Sequence, residues 1–188
     1  MMTKGKLRKE YLQKRLALTE AEVLHLSSQL CDQFFSSVDI SFIHVVHIFL
    51  PIEKKNEPNT WLIIDRMRRE FPHIRLSIPK TNGTIENFYF EGLHQLQNNE
   101  WGIPEPKQGI PTPVEKIDLV LVPLLIFDGR GHRVGYGKGY YDRFLSDCRA
   151  DCRKIGVSLF EPIEAIEDIT EEDIQLNNCL TPSRFFSF

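Results

Sequence analysis

At 188 residues, 41% of them hydrophobic, the chain can bury one substantial core and falls within the usual size of a single domain. Its 23 basic and 26 acidic residues leave a net charge of −3, which argues against a general nucleic-acid or anionic-membrane surface. No apolar run approaches the ~20 residues of a membrane span, and the opening MMTKGKLRKEYLQKR lacks the apolar centre of a secretory signal, so a cytoplasmic protein is expected.

Residues 4–18 carry a helical pattern with Leu7, Tyr11 and Leu18 toward a core, and Thr19-Glu20-Ala21-Glu22 has the form of a capping box opening a second helix. The first strand is predicted in FIHVVHIFLP, 42–51, which is rich in β-branched and aromatic residues. His44 and His47 lie three apart there and project to opposite faces, which argues against joint metal ligation. A helix follows at about 60–70, its end from Met67 to Glu70 reading as solvated, and shorter strands fit 74–79 and 85–90. The stretch 98–114, with Trp101 and several prolines and glycines, reads as a long functional loop. The strongest strand pattern is IDLVLVPLLIF, 117–127; a helix at 139–149, a strand at 155–160 and a C-terminal strand near 179–186 complete the series. Phe185, Phe186 and Phe188 are expected to pack on the core. The four cysteines, Cys31, Cys148, Cys152 and Cys179, include no Cys-x-x-Cys pair and are expected as buried, reduced thiols.

Continuous apolar strands alternating with helices imply a single-domain α/β fold over 1–188, a three-layer α/β/α sandwich with a mostly parallel sheet covered on both faces. In such a sheet the active site lies at the carboxyl ends of the strands, where Leu50, the residues after 127 and those after Phe160 would converge.

Residues 128–143, DGRGHRVGYGKGYYDR, run from the strongest strand into a helix. Gly131, Gly135, Gly137 and Gly139 allow close backbone approach, while Arg130, Arg133, Lys138 and Arg143 bring positive charge. With exposed N–H groups at the helix start, this reads as a phosphate site. It is not a Walker loop, because His132 stands where the first glycine of Gly-x4-Gly-Lys-Ser/Thr belongs and Gly139 follows Lys138. Nor is it a dinucleotide fingerprint, since Tyr140 stands where the third glycine belongs.

The run VPLLIFDGRGHRVGYGKGYYDR, 122–143, resembles the signature of the 5-formyltetrahydrofolate cyclo-ligase family, whose Arg-x-Gly-x-Gly-Lys-Gly-Tyr-Tyr-Asp core is complete here. The likeness extends to Lys4 and Arg8, to Leu50-Pro51 followed by Glu57 and Thr60, to Trp101-Gly102-Ile103-Pro104-Glu105-Pro106, and to Asp173. It implies ATP- and Mg²⁺-dependent closure of 5-formyltetrahydrofolate to 5,10-methenyltetrahydrofolate. The nucleophile then belongs to the substrate, and no Ser-His-Asp or Cys-His set is needed.

By the same resemblance, Lys4, Arg8 and the loop residues Arg133, Val134, Gly135, Tyr136, Gly137, Lys138, Gly139, Tyr140 and Tyr141 bind ATP, with Lys138 and Arg133 acting on phosphoryl charge. Leu50, Glu57, Trp101, Tyr136 and Tyr140 would hold the folate, and Asp142 and Asp173 the Mg²⁺. Many members of the family carry arginine where this chain has Tyr136, so that residue is expected to serve chiefly as a neutral wall of the folate pocket, with Tyr136→Phe mild. A monomer is expected, with ATP and the folate as its partners and neither nucleic acid nor membrane among them. The competing readings are a phosphosugar isomerase or coenzyme A transferase relative, which would need no ATP, and a non-catalytic nucleotide- or folate-binding protein.

Overall fold

The computed structural model describes residues 2–188. Two helices come first, α1 (Lys4–Leu16) and α2 (Glu20–Ser37). The predicted capping box is formed: Thr19 Oγ1 accepts from Glu22 N–H at 3.2 Å and Glu22 Oε2 accepts from Thr19 N–H at 2.7 Å. There follow β1 (Val45–His47), α3 (Trp61–Glu70), β2 (Arg75–Thr81), β3 (Ile85–Tyr89), β4 (Leu96–Asn98) and β5 (Pro104–Pro106). The second half holds β6 (Leu119–Pro123), β7 (Ile126–Phe127), β8 (Arg133–Val134), α4 (Tyr140–Asp147), β9 (Arg153–Val157), β10 (Asn178–Leu180) and β11 (Phe185–Ser187).

Seven strands form the main sheet in the order β11-β10-β9-β6-β1-β2-β3. The five inner strands are mutually parallel, and only β11 and β3 at the edges run antiparallel to their neighbours. Burial on both faces accounts for the unbroken apolar runs. Val46, Leu119 and Leu121 meet Leu30 and Phe34 of α2 and Ile63, Ile64 and Met67 of α3, whereas Val45, Val120 and Val122 meet Phe144 and Leu145 of α4. The result is the expected three-layer α/β arrangement. No helix among the described residues is long and apolar enough to cross a membrane.

The structure departs from the sequence pattern in instructive places. The strand expected at 42–51 pairs only from Val45 because Asp39 Oδ1 accepts from Ser41 N–H and Ile43 N–H donates to Ile40, turning the chain and leaving Phe42 86% exposed. The run at 117–127 breaks after Pro123, and its last residues pair instead with β8. Both pieces are buried, so hydrophobicity carries no trace of the break. The loop expected at 98–114 begins inside a hairpin, β4 on β5, with Trp101 at its tip. Met67, expected at a solvated helix end, is fully buried, while Arg68, Arg69 and Glu70 are exposed. All four cysteines are free thiols, and Cys31, Cys152 and Cys179 are buried as expected, but Cys148, just after α4, is only half-buried. The C-terminal aromatics do meet the core, Phe186 and Phe188 lying edge-on to Phe127.

Asp128 anchors the start of the glycine-rich segment. Fully buried, it accepts from the backbone N–H groups of Arg130 (3.0 Å), His132 (3.0 Å) and Ile166 (3.1 Å). Burial pushes its carboxyl up, but these three donors and His132 outweigh that and hold it below the ordinary carboxylate range. Asp128→Ala should therefore destabilise the protein by roughly 2–3 kcal/mol, since buried donors lose their acceptor. Urea unfolding of the purified variant measures this, and a change below about 0.5 kcal/mol would show that solvent replaces the carboxylate.

Candidate active site

A cleft of about 1430 Å³ opens at the carboxyl ends of β1, β2 and β6. Its walls are Phe49 and Leu50 after β1, Pro79 to Gly83 at the β2–β3 turn, Pro123 to Leu125 after β6, the tip of the β4–β5 hairpin, the start of α1, the glycine-rich loop and residues 168–174. The residues that converge after the C-terminal part of the sheet are thus Asp168 to Ile174, beyond Phe160 as expected.

The loop backbone is shaped by two glycines that no other residue could replace without strain. Gly137 has φ +85° and Gly139, which caps α4, has φ +68°, a left-handed conformation costly for L side chains. A Cβ at Gly137 would also lie 2.9 Å from the Arg8 guanidinium. Arg8 Nε donates to the Gly135 carbonyl at 2.9 Å, so α1 braces the loop. Between the two glycines Lys138 is exposed and, among the described residues, has no hydrogen-bond or ion-pair partner. The first N–H groups of α4 are uncapped by any side chain. A free ammonium beside free N–H donors at a helix start is an anion site.

The carboxylates expected to bind metal both line this cleft, each tied on one oxygen. Asp142 Oδ1 accepts from Arg133 Nη2 at 2.6 Å and from Ile174 N–H at 3.0 Å. Asp173 Oδ2 accepts from Lys4 Nζ at 2.6 Å and from Thr170 N–H at 2.7 Å; these donors overcome the upward push of burial and keep its pKa low. No group of three or more His, Cys, Asp or Glu side chains suited to a metal occurs among the described residues. Two carboxylates with free oxygens beside a phosphate site nevertheless suit Mg²⁺, which usually takes one or two carboxylates and fills its shell with phosphate oxygens and water.

The same cleft holds a second polar cluster. Glu57, 5% exposed, accepts from Ile52 N–H on Oε2 and from the Tyr136 hydroxyl on Oε1, both at 2.7 Å. The Tyr136 hydroxyl in turn accepts from Arg15, and Lys55 Nζ sits 4.0 Å from the Tyr136 ring centroid. Burial raises the Glu57 pKa above the ordinary carboxylate range, and the Arg15 charge, then the Ile52 N–H and the Tyr136 hydroxyl, offset only part of that rise. Burial, followed by the Glu57 charge, pushes the Tyr136 hydroxyl far above its ordinary value.

A family model described as the 5-formyltetrahydrofolate cyclo-ligase family matches residues 1–182. The chain belongs to this family. The 5-formyltetrahydrofolate cyclo-ligase of Escherichia coli (strain K12) is 26% identical over 182 residues, covering 94% of this chain and 98% of that protein. Its Mycoplasma pneumoniae counterpart is 31% identical over 158 residues, 84% and 85% of the two chains. The solved structure of Aquifex aeolicus 5,10-methenyltetrahydrofolate synthetase superposes with a TM-score of 0.81 at 28% identity, over 98% of this chain and 92% of that one. The chain is accordingly an enzyme of the cyclo-ligase family.

In this cyclo-ligase nearly every residue singled out from sequence reaches the same cleft: Lys4, Arg8, Leu50, Glu57, Trp101, Arg133, Gly135, Tyr136, Gly137, Lys138, Gly139, Tyr140, Tyr141, Asp142 and Asp173. Val134 does not. It is fully buried with Leu7, Ile126 and Ile166, and its carbonyl is taken by Leu125 N–H, because β8 must cover α1 on that side. Arg133 reaches the cleft with its guanidinium committed to Asp142 and the Ile174 carbonyl, so it holds the loop to residues 170–174 and has little left for a ligand. Trp101, at the hairpin tip, is 72% exposed.

Two groups of residues escaped sequence reasoning. Arg15 shares a helical face with Lys4 and Arg8, a signal that spacing by four and seven residues could have supplied. The other is the pair of partners of His47, a residue set aside as a metal ligand but whose contacts no local pattern announces. His47 is fully buried, with Nδ1 2.8 Å from Asn87 Oδ1 and Nε2 3.0 Å from the Tyr141 hydroxyl. Burial lowers its pKa to about 3, against the Asn87 bond, so the ring is neutral. Asn87 Oδ1 can only accept, which puts the proton on Nδ1 and leaves Nε2 to accept from Tyr141. The Tyr141 hydroxyl, itself pushed up by burial, is thereby aimed away from any ligand as a donor.

Proposed function

We propose that the chain converts 5-formyltetrahydrofolate to 5,10-methenyltetrahydrofolate with consumption of ATP in the presence of Mg²⁺, releasing ADP and phosphate. The observation that carries this reading is the meeting, in one cleft, of a free lysine in a glycine-rich loop and a buried carboxylate held against the same loop by Tyr136. A phosphate-binding part and a heterocycle-binding part thus share one cleft. Relatives named for the same conversion support it.

In the proposed reaction the N5-formyl oxygen attacks the γ-phosphorus and ADP departs, leaving the oxygen phosphorylated. N10 then attacks the formyl carbon, the C–O bond breaks with loss of phosphate, and the N10 proton is released. The enzyme's task is placement and charge stabilisation. Lys138 and the N–H groups from Gly139 onward receive the phosphates; Lys4 and Arg8 add positive charge at the same rim. Asp142 and Asp173 would carry the Mg²⁺, which when bound offsets and orients phosphate charge. Glu57 accepts N–H groups of the pterin, Leu50 and Tyr136 line its faces, Trp101 closes over it from the hairpin tip, and Tyr140 stands between the two ligands. The enzyme acts as a cytoplasmic single-domain monomer with ATP and the folate as its partners.

Purified protein incubated with 5-formyltetrahydrofolate, ATP and Mg²⁺ should develop the near-ultraviolet absorbance of the methenyl product. Absence of product from folded protein that binds both ligands would reject the reading. Asp142→Asn should weaken activity and shift half-saturation by Mg²⁺ to higher concentration, with partial recovery in excess Mg²⁺. An unchanged Mg²⁺ dependence would mean that Asp142 serves only to hold Arg133 and Ile174.

A further inference from the structure

Arg15 is 2% exposed on a helix that otherwise shows much of its length to solvent. Its Nε donates to the Lys55 carbonyl at 2.8 Å, Nη1 to the Leu124 carbonyl at 3.3 Å, and Nη2 to the Tyr136 hydroxyl. It forms no ion pair with any carboxylate among the described residues. A buried cation without a counter-charge is expensive, and the charge that compensates it here is the Glu57 carboxylate, one hydroxyl away.

The direction of this relay is forced. A guanidinium has no acceptor, so the Tyr136 oxygen must accept from Arg15, and its single proton is left for Glu57 Oε1. Ile52 N–H occupies Oε2 in the same way. Both oxygens therefore receive protons from the protein, an arrangement that only an ionised carboxylate accommodates well, and each retains a lone pair for a ligand's N–H. We infer that Arg15, acting through Tyr136, is a positioning residue that keeps Glu57 ionised and oriented for the folate. The inference rests on the reading of Glu57 as the pterin acceptor.

The charged and titratable groups facing Glu57 are few: Arg15 from α1, Lys55 from the turn after β1, Tyr136 from the glycine-rich loop and Tyr141 from α4. Both tyrosines are pushed well above their ordinary range by burial and remain neutral at physiological pH. Among the described residues only Arg15 and Lys55 bring positive charge to it, and Lys55 lies over the ring of Tyr136 rather than in the hydrogen-bond chain. Burial alone favours the protonated acid, so removal of the Arg15 charge raises the pH at which Glu57 takes up a proton.

Equilibrium binding of 5-formyltetrahydrofolate without ATP, followed by calorimetry across pH 5–9, tests this. In Arg15→Gln the pH below which folate affinity declines should rise by about one unit or more, with affinity recovering at high pH and ATP affinity unchanged. Arg15→Lys, which keeps the charge, should lie near the wild-type profile and serves if Arg15→Gln fails to fold. A uniform, pH-independent loss in either variant, or equal loss of ATP affinity, would make Arg15 merely structural and overturn the inference. Glu57→Gln separates the two levels: it should abolish the pH dependence in both backgrounds. If Glu57→Gln leaves folate affinity untouched, the reading of Glu57 as a substrate ligand falls. If Glu57 matters and the Arg15→Gln profile does not move, the relay alone falls.

Discussion

Lys138→Ala is expected to lower turnover by about 10²-fold or more at saturating ATP, the scale of losing one electrostatic group that acts on developing charge. The side chain is exposed and unpartnered among the described residues, so its removal should change stability by no more than about 0.5 kcal/mol. The left-handed turns that shape the loop belong to Gly137 and Gly139, which the substitution leaves alone. Nearby cations are poor substitutes: the Arg133 guanidinium is held by Asp142 and the Ile174 carbonyl, and Lys4 is paired with Asp173. Single-turnover measurements with saturating ATP and folate, alongside thermal unfolding, check both halves. Near-normal turnover would move the phosphoryl-stabilising role to Arg8, which lines the same cleft and is engaged through Nε with the Gly135 carbonyl.

The layers of the fold were readable because inner parallel strands are buried on both faces, so they appear as unbroken apolar runs between amphipathic helices. Strand limits were not, since Leu124 to Phe127 are as buried after the break at Pro123 as before it. Met67 misled because its neighbours in sequence are charged while its own helical face turns to the sheet. At the site, motif spacing located the residues that touch the cleft but could not show which of them are already engaged. Arg133 and Lys138 look alike in the sequence, yet one is tied down and the other is free. Buried support such as His47 on Tyr141 depends on contact between β1, β3 and α4, which no local pattern records.

Position 136 shows what such hidden contacts do to an expectation. Taken from sequence, Tyr136 was a neutral wall whose hydroxyl was dispensable; in the structure that hydroxyl joins Arg15 to Glu57. Tyr136→Phe is therefore expected to raise the dissociation constant for 5-formyltetrahydrofolate by up to about 100-fold, since a hydrogen bond to a charged group contributes roughly 1.5–3 kcal/mol. The sign with pH follows from the same bond. The hydroxyl lowers the Glu57 pKa, so its loss raises that pKa, and folate affinity should fall away at a higher pH than in the wild type. Tyr136→Ala should cost more, because the ring that carries Lys55 above it and lines the cleft is lost as well. ATP affinity should change little in either variant, as Lys138, Arg8 and the α4 start are untouched. Paired titrations with folate and with ATP decide the matter: a selective loss of ATP affinity with folate binding unaltered would place Tyr136 on the nucleotide side and overturn this division of the cleft.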